Sequence, residues 1–148
     1  MASDAEEPDL GMLIGQLARA LRDELFARLA EQGHPRVRPR HGTVLAVLPA
    51  SGARATELAQ WSGQHKQIVG VIVDELEELG YVRRESDPRD RRAKLVVPTA
   101  NGLDGIDKAR AILADIEQRH RAALGDDTYA VFRTALEDVT RAQRAWQR

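Results

Sequence analysis

The 148 residues include no cysteine, which excludes disulfide staples, thiolate metal sites, cysteine nucleophiles and any sensing device built on thiol oxidation. Aromatic side chains are scarce at 4%, too few for an aromatic ligand cage or for the stacking platform that single-stranded nucleic acid requires. The longest apolar run, Val44 to Leu48, falls far short of the ~20 residues of a membrane span. The opening stretch, Met1 to Asp9, is acidic where a secretory signal would be basic. A cytoplasmic protein with no membrane partner is therefore expected. An excess of one charge sign is also missing: 22 Lys and Arg face 23 Asp and Glu, a formal net charge of −1, so the chain is not the basic object that binds nucleic acid indiscriminately. A Gly-rich phosphate loop and a nucleophile elbow are absent too, and adjacent acids such as Glu77 and Glu78 lie on a helix exterior. An enzyme is not expected. His34, His41, His65 and His120 have no ligand spacing, so neither metal nor cofactor is expected.

What is present is a globular composition, 43% hydrophobic and 30% charged, at a length suited to one compact domain. The near-zero net charge hides a gradient. Residues 1 to 33 carry 3 basic and 7 acidic groups, residues 34 to 79 carry 5 and 5, and residues 80 to 95 carry 6 and 3. Leu10, Leu13, Ile14, Leu17, Leu21, Leu25 and Leu29 recur at the spacing of one helical stripe that Gly33 and Pro35 stop. That stripe faces either the core or a second subunit. Pro39 can open a short second helix reaching Pro49, and Ser51-Gly52 marks the loop that follows.

From Ala55 a short helix closes at Gly63 and a longer one follows at once, with Ile68, Val69, Ile72, Val73, Leu76 and Leu79 as its buried stripe. Gln64, His65, Lys66, Gln67, Gly70 and Val71 fall in its exposed N-terminal half. Tyr81 to Arg84 and Lys94 to Val97 read as strands around a long charged loop containing Asp87-Pro88. Helix-turn-helix followed by hairpin is a winged helix. Thr99 is placed to cap a further helix carrying Leu103, Ile106, Ile112, Leu113, Ile116, His120 and Leu124, and Gly125-Asp126 breaks it. A last helix carries Phe132, Leu136, Val139, Gln143 and Trp146. A hairpin and short helices cannot cover all these apolar faces, so a subunit interface built from the first and last helices is expected.

A reading helix enters the major groove with its first turns against base edges. A glutamine amide pairs with adenine, lysine donates to guanine acceptors, Val71 can touch a thymine methyl, and Gly70 permits close approach. In the wing, Asp90 and Arg92 lie two apart and share one side of an extended strand, so the carboxylate is expected to orient the guanidinium toward a narrow minor groove. Arg89 and Arg91 are candidates for phosphates. The plainer alternatives are a solvated helix face and an ordinary surface ion pair worth under about 1 kcal/mol. Trp61, Trp146 and Tyr129 can line an effector pocket or simply pack.

From about Leu10 to Trp146 the chain resembles the MarR family of winged-helix transcription regulators. The resemblance is carried by Leu76-Glu77-Glu78-Leu79-Gly80-Tyr81-Val82, by Asp87-Pro88-Arg89-Asp90-Arg91-Arg92-Ala93-Lys94-Leu95, similar to the family's D-x-R wing, and by Thr99-Ala100-Asn101-Gly102. It implies a mainly α fold, with a winged helix-turn-helix core over about 35–98 bearing a small β-hairpin wing. N- and C-terminal dimerisation helices would flank this core over about 10–33 and 99–147, all in a single domain, 10–148, behind an acidic tail, 1–9. It further implies a homodimer on pseudo-palindromic double-stranded DNA, usually a repressor, often released by a small aromatic or anionic effector. His65 stands where members often carry serine or threonine, and Ile68, Gly70 and Val71 stand where hydroxyl or basic residues are common. A winged-helix protein-interaction module is the alternative that those apolar positions suggest.

Overall fold

The structure is a computed structural model that describes residues 7–147, so most of the expected acidic tail, residues 1–6, lies outside the described residues. The chain divides into two compact units, Met1–Ala109 and Arg110–Arg148. In the first, α1 (Leu10–Glu31) starts where the Asp9 carboxylate accepts the Met12 N–H at 2.8 Å, satisfying one of the donors a helix leaves open at its start. Next come α2 (Pro39–Leu45), α3 (Ala55–Ser62), α4 (Lys66–Glu78), β1 (Val82–Asp87), β2 (Asp90–Pro98) and the first turns of α5 (Ala100–Leu124). Helix α2 ends at Leu45, before the Pro49 that the sequence suggests as its stop. Its last turn relaxes into the 3₁₀-like bonds Val47 N–H to Val44 and Leu48 N–H to Leu45.

One apolar core holds this unit together: Val44, Leu48, Leu58, Val69, Ile72, Val73, Leu76, Val82, Val96 and Ile106 are all buried. Truncating a fully enclosed member such as Leu76 removes contacts and leaves a cavity, which costs about 2–5 kcal/mol. Ile68, expected in the buried stripe, is 45% exposed. The stripe is Val69, Ile72, Val73 and Leu76, and Ile68 lies about a quarter-turn off its axis. The strands pair antiparallel from Val82↔Pro98 to Asp87↔Asp90. Ala53 adds an isolated bridge to β2, exchanging backbone bonds of 3.0 and 2.8 Å with Val96, which fixes the start of α3 against the hairpin.

Buried polar groups are tied across elements. The Arg38 N–H donates to His41 Nδ1 at 2.9 Å, which leaves Nε2–H to donate to Glu75 at 2.8 Å. Arg40 meets the other oxygen of the same carboxylate at 2.8 Å, so α2 grips the middle of α4. His34 bridges the Tyr81 hydroxyl at 2.7 Å and Asp104 at 2.8 Å. Lys108 and His34 hold the Asp104 carboxyl below its usual range, while burial pushes the Tyr81 phenol up. Thr99 caps α5 as expected, accepting the Gly102 N–H at 3.1 Å and donating to the Gly80 carbonyl at 2.6 Å. Gly102 is forced: a Cβ there would lie 2.0 Å from the Tyr81 carbonyl oxygen.

The second unit contains the end of α5 and α6 (Asp126–Trp146), separated at Gly125. Tyr129 is buried and donates to Glu117 at 3.1 Å, Arg133 pairs with the same Glu117, and Arg121 lies over the Tyr129 ring. Val131, Phe132, Leu136, Val139 and Trp146 stay exposed on α6, as Leu10, Met12, Leu13, Ile14 and Leu17 do on α1. No described helix is long and apolar enough to cross a membrane.

Candidate nucleic-acid interface

Helix α3 stops because Gly63 takes φ +71°, a left-handed turn that costs glycine little. Three residues later, at Lys66, α4 starts. Gln64 and His65, expected in the exposed half of α4, stand before it: Gln64 is in the turn and His65 is the extended N-cap, its ring making no capping bond. The preceding left-handed glycine spends two residues on reversing the chain, so helical geometry begins only at Lys66. Lys66 and Gln67 thus occupy the first turn, both exposed, at the end of the helix where backbone N–H groups favour anions.

The outward face of the next turn consists of Gly70 and Val71, with Ile68 on its flank. Val71 is 57% exposed, and a Cβ built on Gly70 would meet no atom within 4 Å. A glycine inside a helix costs about 1 kcal/mol relative to alanine, and nothing within the fold requires this one. Beyond it the surface turns acidic. Asp74 and Glu77 are both held by Arg84, at 2.6 and 3.0 Å, and Glu75 is committed to His41 and Arg40. Only the first two turns of α4 are therefore free of negative charge on the outside. Trp61 on α3, more economically read as a packing residue, is 51% exposed.

The wing differs from the expected long loop. Its strands extend to Asp87 and Asp90, leaving a two-residue turn, Pro88-Arg89. Proline fixes the turn's first φ, and the Asp87 carboxylate accepts the Arg89 N–H at 2.9 Å. Asp87 is fully buried and also receives Arg54 Nε and Nη2, each at 2.8 Å, and Arg89 Nε at 3.3 Å. The Arg89 N–H foremost, then Arg54 and the Arg89 side chain, lower the Asp87 carboxyl to about 2 against the opposing effect of burial. Arg54 is raised in turn by its bond to Asp87.

The expected pairing of Asp90 with the Arg92 guanidinium is not found. Asp90 Oδ1 instead accepts the Arg92 backbone N–H at 3.1 Å, because Asp90 closes the turn and its short side chain reaches the chain two residues on. Arg91 and Arg92 are exposed, and neither guanidinium has a carboxylate partner among the described residues. Arg89 is pinned yet its side chain remains 70% exposed. The organising residues that sequence reasoning passes over are Asp87 and Arg54. Aspartate directly before proline and two before arginine is a turn-forming signal in its own right. Its link to Arg54, 33 positions earlier, has no signature in spacing.

The α3-turn-α4 pair followed by the β1-β2 hairpin is a winged helix-turn-helix. Residues 37–93, which run from just before α2 through α3, α4 and β1 into the first residues of β2, match the model of the MarR family. A stretch of 44 residues is 48% identical to the uncharacterized HTH-type transcriptional regulator YcgE of Bacillus subtilis (strain 168), covering 30% of this chain and 29% of that protein. CouR from Rhodococcus jostii RHA1, solved bound to p-coumaroyl-CoA, is similar over 93% of this chain and 95% of its own, at 29% identity and a TM-score of 0.72. A MarR-family transcriptional regulator from Rhodococcus sp. RHA1 aligns over 93% and 96%, at 28% identity and a TM-score of 0.70. CouR bound to a 23-mer DNA duplex shares the fold at 23% identity, with a TM-score of 0.72 over 89% and 92% of the two chains.

Proposed function

We propose that this protein is a sequence-specific regulator of transcription that binds double-stranded DNA as a homodimer and represses until a small effector releases it. The observation that carries this reading is the wing turn, where the buried Asp87 holds Arg89 and ties the turn to Arg54, beside the exposed Arg91 and Arg92 and on the same winged helix as an exposed reading helix. Gln67 and Lys66, with Gln64 and His65 at the helix entrance and Gly70 and Val71 behind them, would meet base edges. Arg91 and Arg92 would reach a minor groove or phosphates, Arg89 would add a phosphate contact from its pinned position, and Asp90 would shape the turn.

The homodimer is supported by the apolar stripes left exposed on α1 and α6, and two copies suit a pseudo-palindromic operator. In this reading the protein is cytoplasmic and forms one functional domain from α1 to α6. Effector binding is supported by the likeness to CouR, solved with p-coumaroyl-CoA, and the effector class we infer is a small aromatic or anionic molecule. The test is titration of the purified protein against duplexes from its neighbouring intergenic DNA over a salt series, with sedimentation to weigh the complex. Affinity should fall steeply as salt rises, with two protomers per site. A second reading, a winged-helix protein-interaction module, is favoured by the exposed Trp61, Ile68 and Val71. Its contacts would change little with salt.

A further inference from the structure

We propose that the Gln67, Gly70 and Val71 face of α4, flanked by Ile68, seats on the floor of the major groove and selects its site through thymine C5-methyl groups. This deepens the DNA-binding reading and rests on it. Three observations converge on it. The first two turns of α4 offer only one hydrogen-bonding side chain that can read a base pair by a paired amide, Gln67. The exposed groups beside it, Ile68 and Val71, have neither donor nor acceptor, and thymine methyl is the one apolar feature of the unmodified major groove.

The second observation is Gly70. It weakens the helix, takes no positive φ, and a Cβ placed on it would have no neighbour within 4 Å. Packing and backbone conformation therefore both leave its missing side chain unexplained. A bare Cα beside Val71 lowers the helix surface by the depth of a side chain, which brings the Val71 methyls within contact of base edges. The third is charge. Asp74, Glu75 and Glu77 are bound to Arg84, His41 and Arg40, so three of the four carboxylates in the second half of α4 are screened, Glu78 closes the far end, and Lys66 stands at the entrance. A polyanion can reach the apolar face from the N-terminal side. An apolar protein partner would not need that arrangement of cations.

The experiment is a selection of the full-length protein on a random-sequence duplex library. In the selected duplex each thymine is then replaced by deoxyuridine, which removes only the methyl. One or two positions per half-site should lose about three- to fivefold in affinity, the scale of one buried methyl. That loss should vanish in Val71→Ala or Ile68→Ala, both surface changes that leave the core intact. Gly70→Leu should melt no lower than the parent yet bind every duplex at least about tenfold more weakly. If a motif is selected but deoxyuridine is tolerated everywhere, methyl readout is overturned while DNA recognition stands. Deoxyuridine sensitivity that persists in both apolar variants overturns the assignment to these residues. If no duplex is enriched, both readings fall together.

Discussion

Over its first two turns α4 offers Gln67, Ile68, Gly70 and Val71 behind a single cation, Lys66, whereas the wing turn places Arg89, Arg91 and Arg92 within four residues. The two surfaces are also held differently. The wing is anchored from below by Asp87, which ties the turn to Arg54 at the head of α3, while the first two turns of α4 are positioned by the core behind them and by ties further along the helix, from Glu75 to α2 and from Asp74 and Glu77 to Arg84. Charge acts over about a Debye length and is indifferent to sequence; apolar contact and amide pairing act only at touching distance. In the proposed reading, a molecule arranged in this way separates holding a duplex from choosing one.

The largest effect should come from removing the anchor. Asp87→Ala leaves Arg54 and Arg89 facing a buried void without their acceptor, so both the melting temperature and duplex affinity should fall more than for any other wing or α4 surface substitution, with affinity down by at least about tenfold. Calorimetry and duplex titration of the same preparation would check this. An unchanged melting temperature would show that the wing stands without its anchor. The same carboxylate gives a pH signature. Its folded pKa, about 2, lies below the ordinary value near ~3.9, so its contribution is fully present above pH ~4 and is lost as pH falls through about 2. In denaturant unfolding, the stability gap between the parent and Asp87→Asn should be constant above pH ~4 and close progressively below it.

Next in size is Arg92→Ala, which should weaken specific and random duplexes alike by about tenfold and reduce the slope of log K against log salt by about one. Gln67→Ala should behave oppositely, relaxing preference at one base pair per half-site by about 1–3 kcal/mol with the salt slope unchanged. If both variants changed the salt slope equally, the division between wing and helix would not hold.

How much of the molecule is legible in its sequence follows the range of the interactions. Element order, the Thr99 cap, the Gly63 stop and the core stripe of α4 are local, set by spacing and by turn chemistry, and can be read directly. Spacing alone starts α4 two residues too early, because the left-handed glycine consumes them, and it places Ile68 in the core because composition cannot distinguish the edge of a stripe from its centre. The wing anchor escapes it, since Asp87 and Arg54 lie 33 positions apart and are neighbours only in the folded chain, where Ala53 bridges to Val96. Sequence proximity suggests Asp90 and Arg92 instead, whose side chains do not pair.

The smallest expected effect has the opposite sign. Gly70→Ala adds a methyl where no atom lies within 4 Å and removes the backbone entropy that glycine loses on entering a helix, so it should stabilise the fold by up to about 1 kcal/mol. Gly102→Ala, also in a helix, would instead drive a Cβ to 2.0 Å from the Tyr81 carbonyl oxygen and should be strongly destabilising. Thermal melts of the two variants side by side separate the reasons for two helical glycines. Gly102 is required by the packing of this chain on itself. If Gly70→Ala gains stability while weakening duplex binding, position 70 is matched to something outside the chain. If it loses stability instead, the glycine serves the fold, and the close approach of α4 to the groove loses its support.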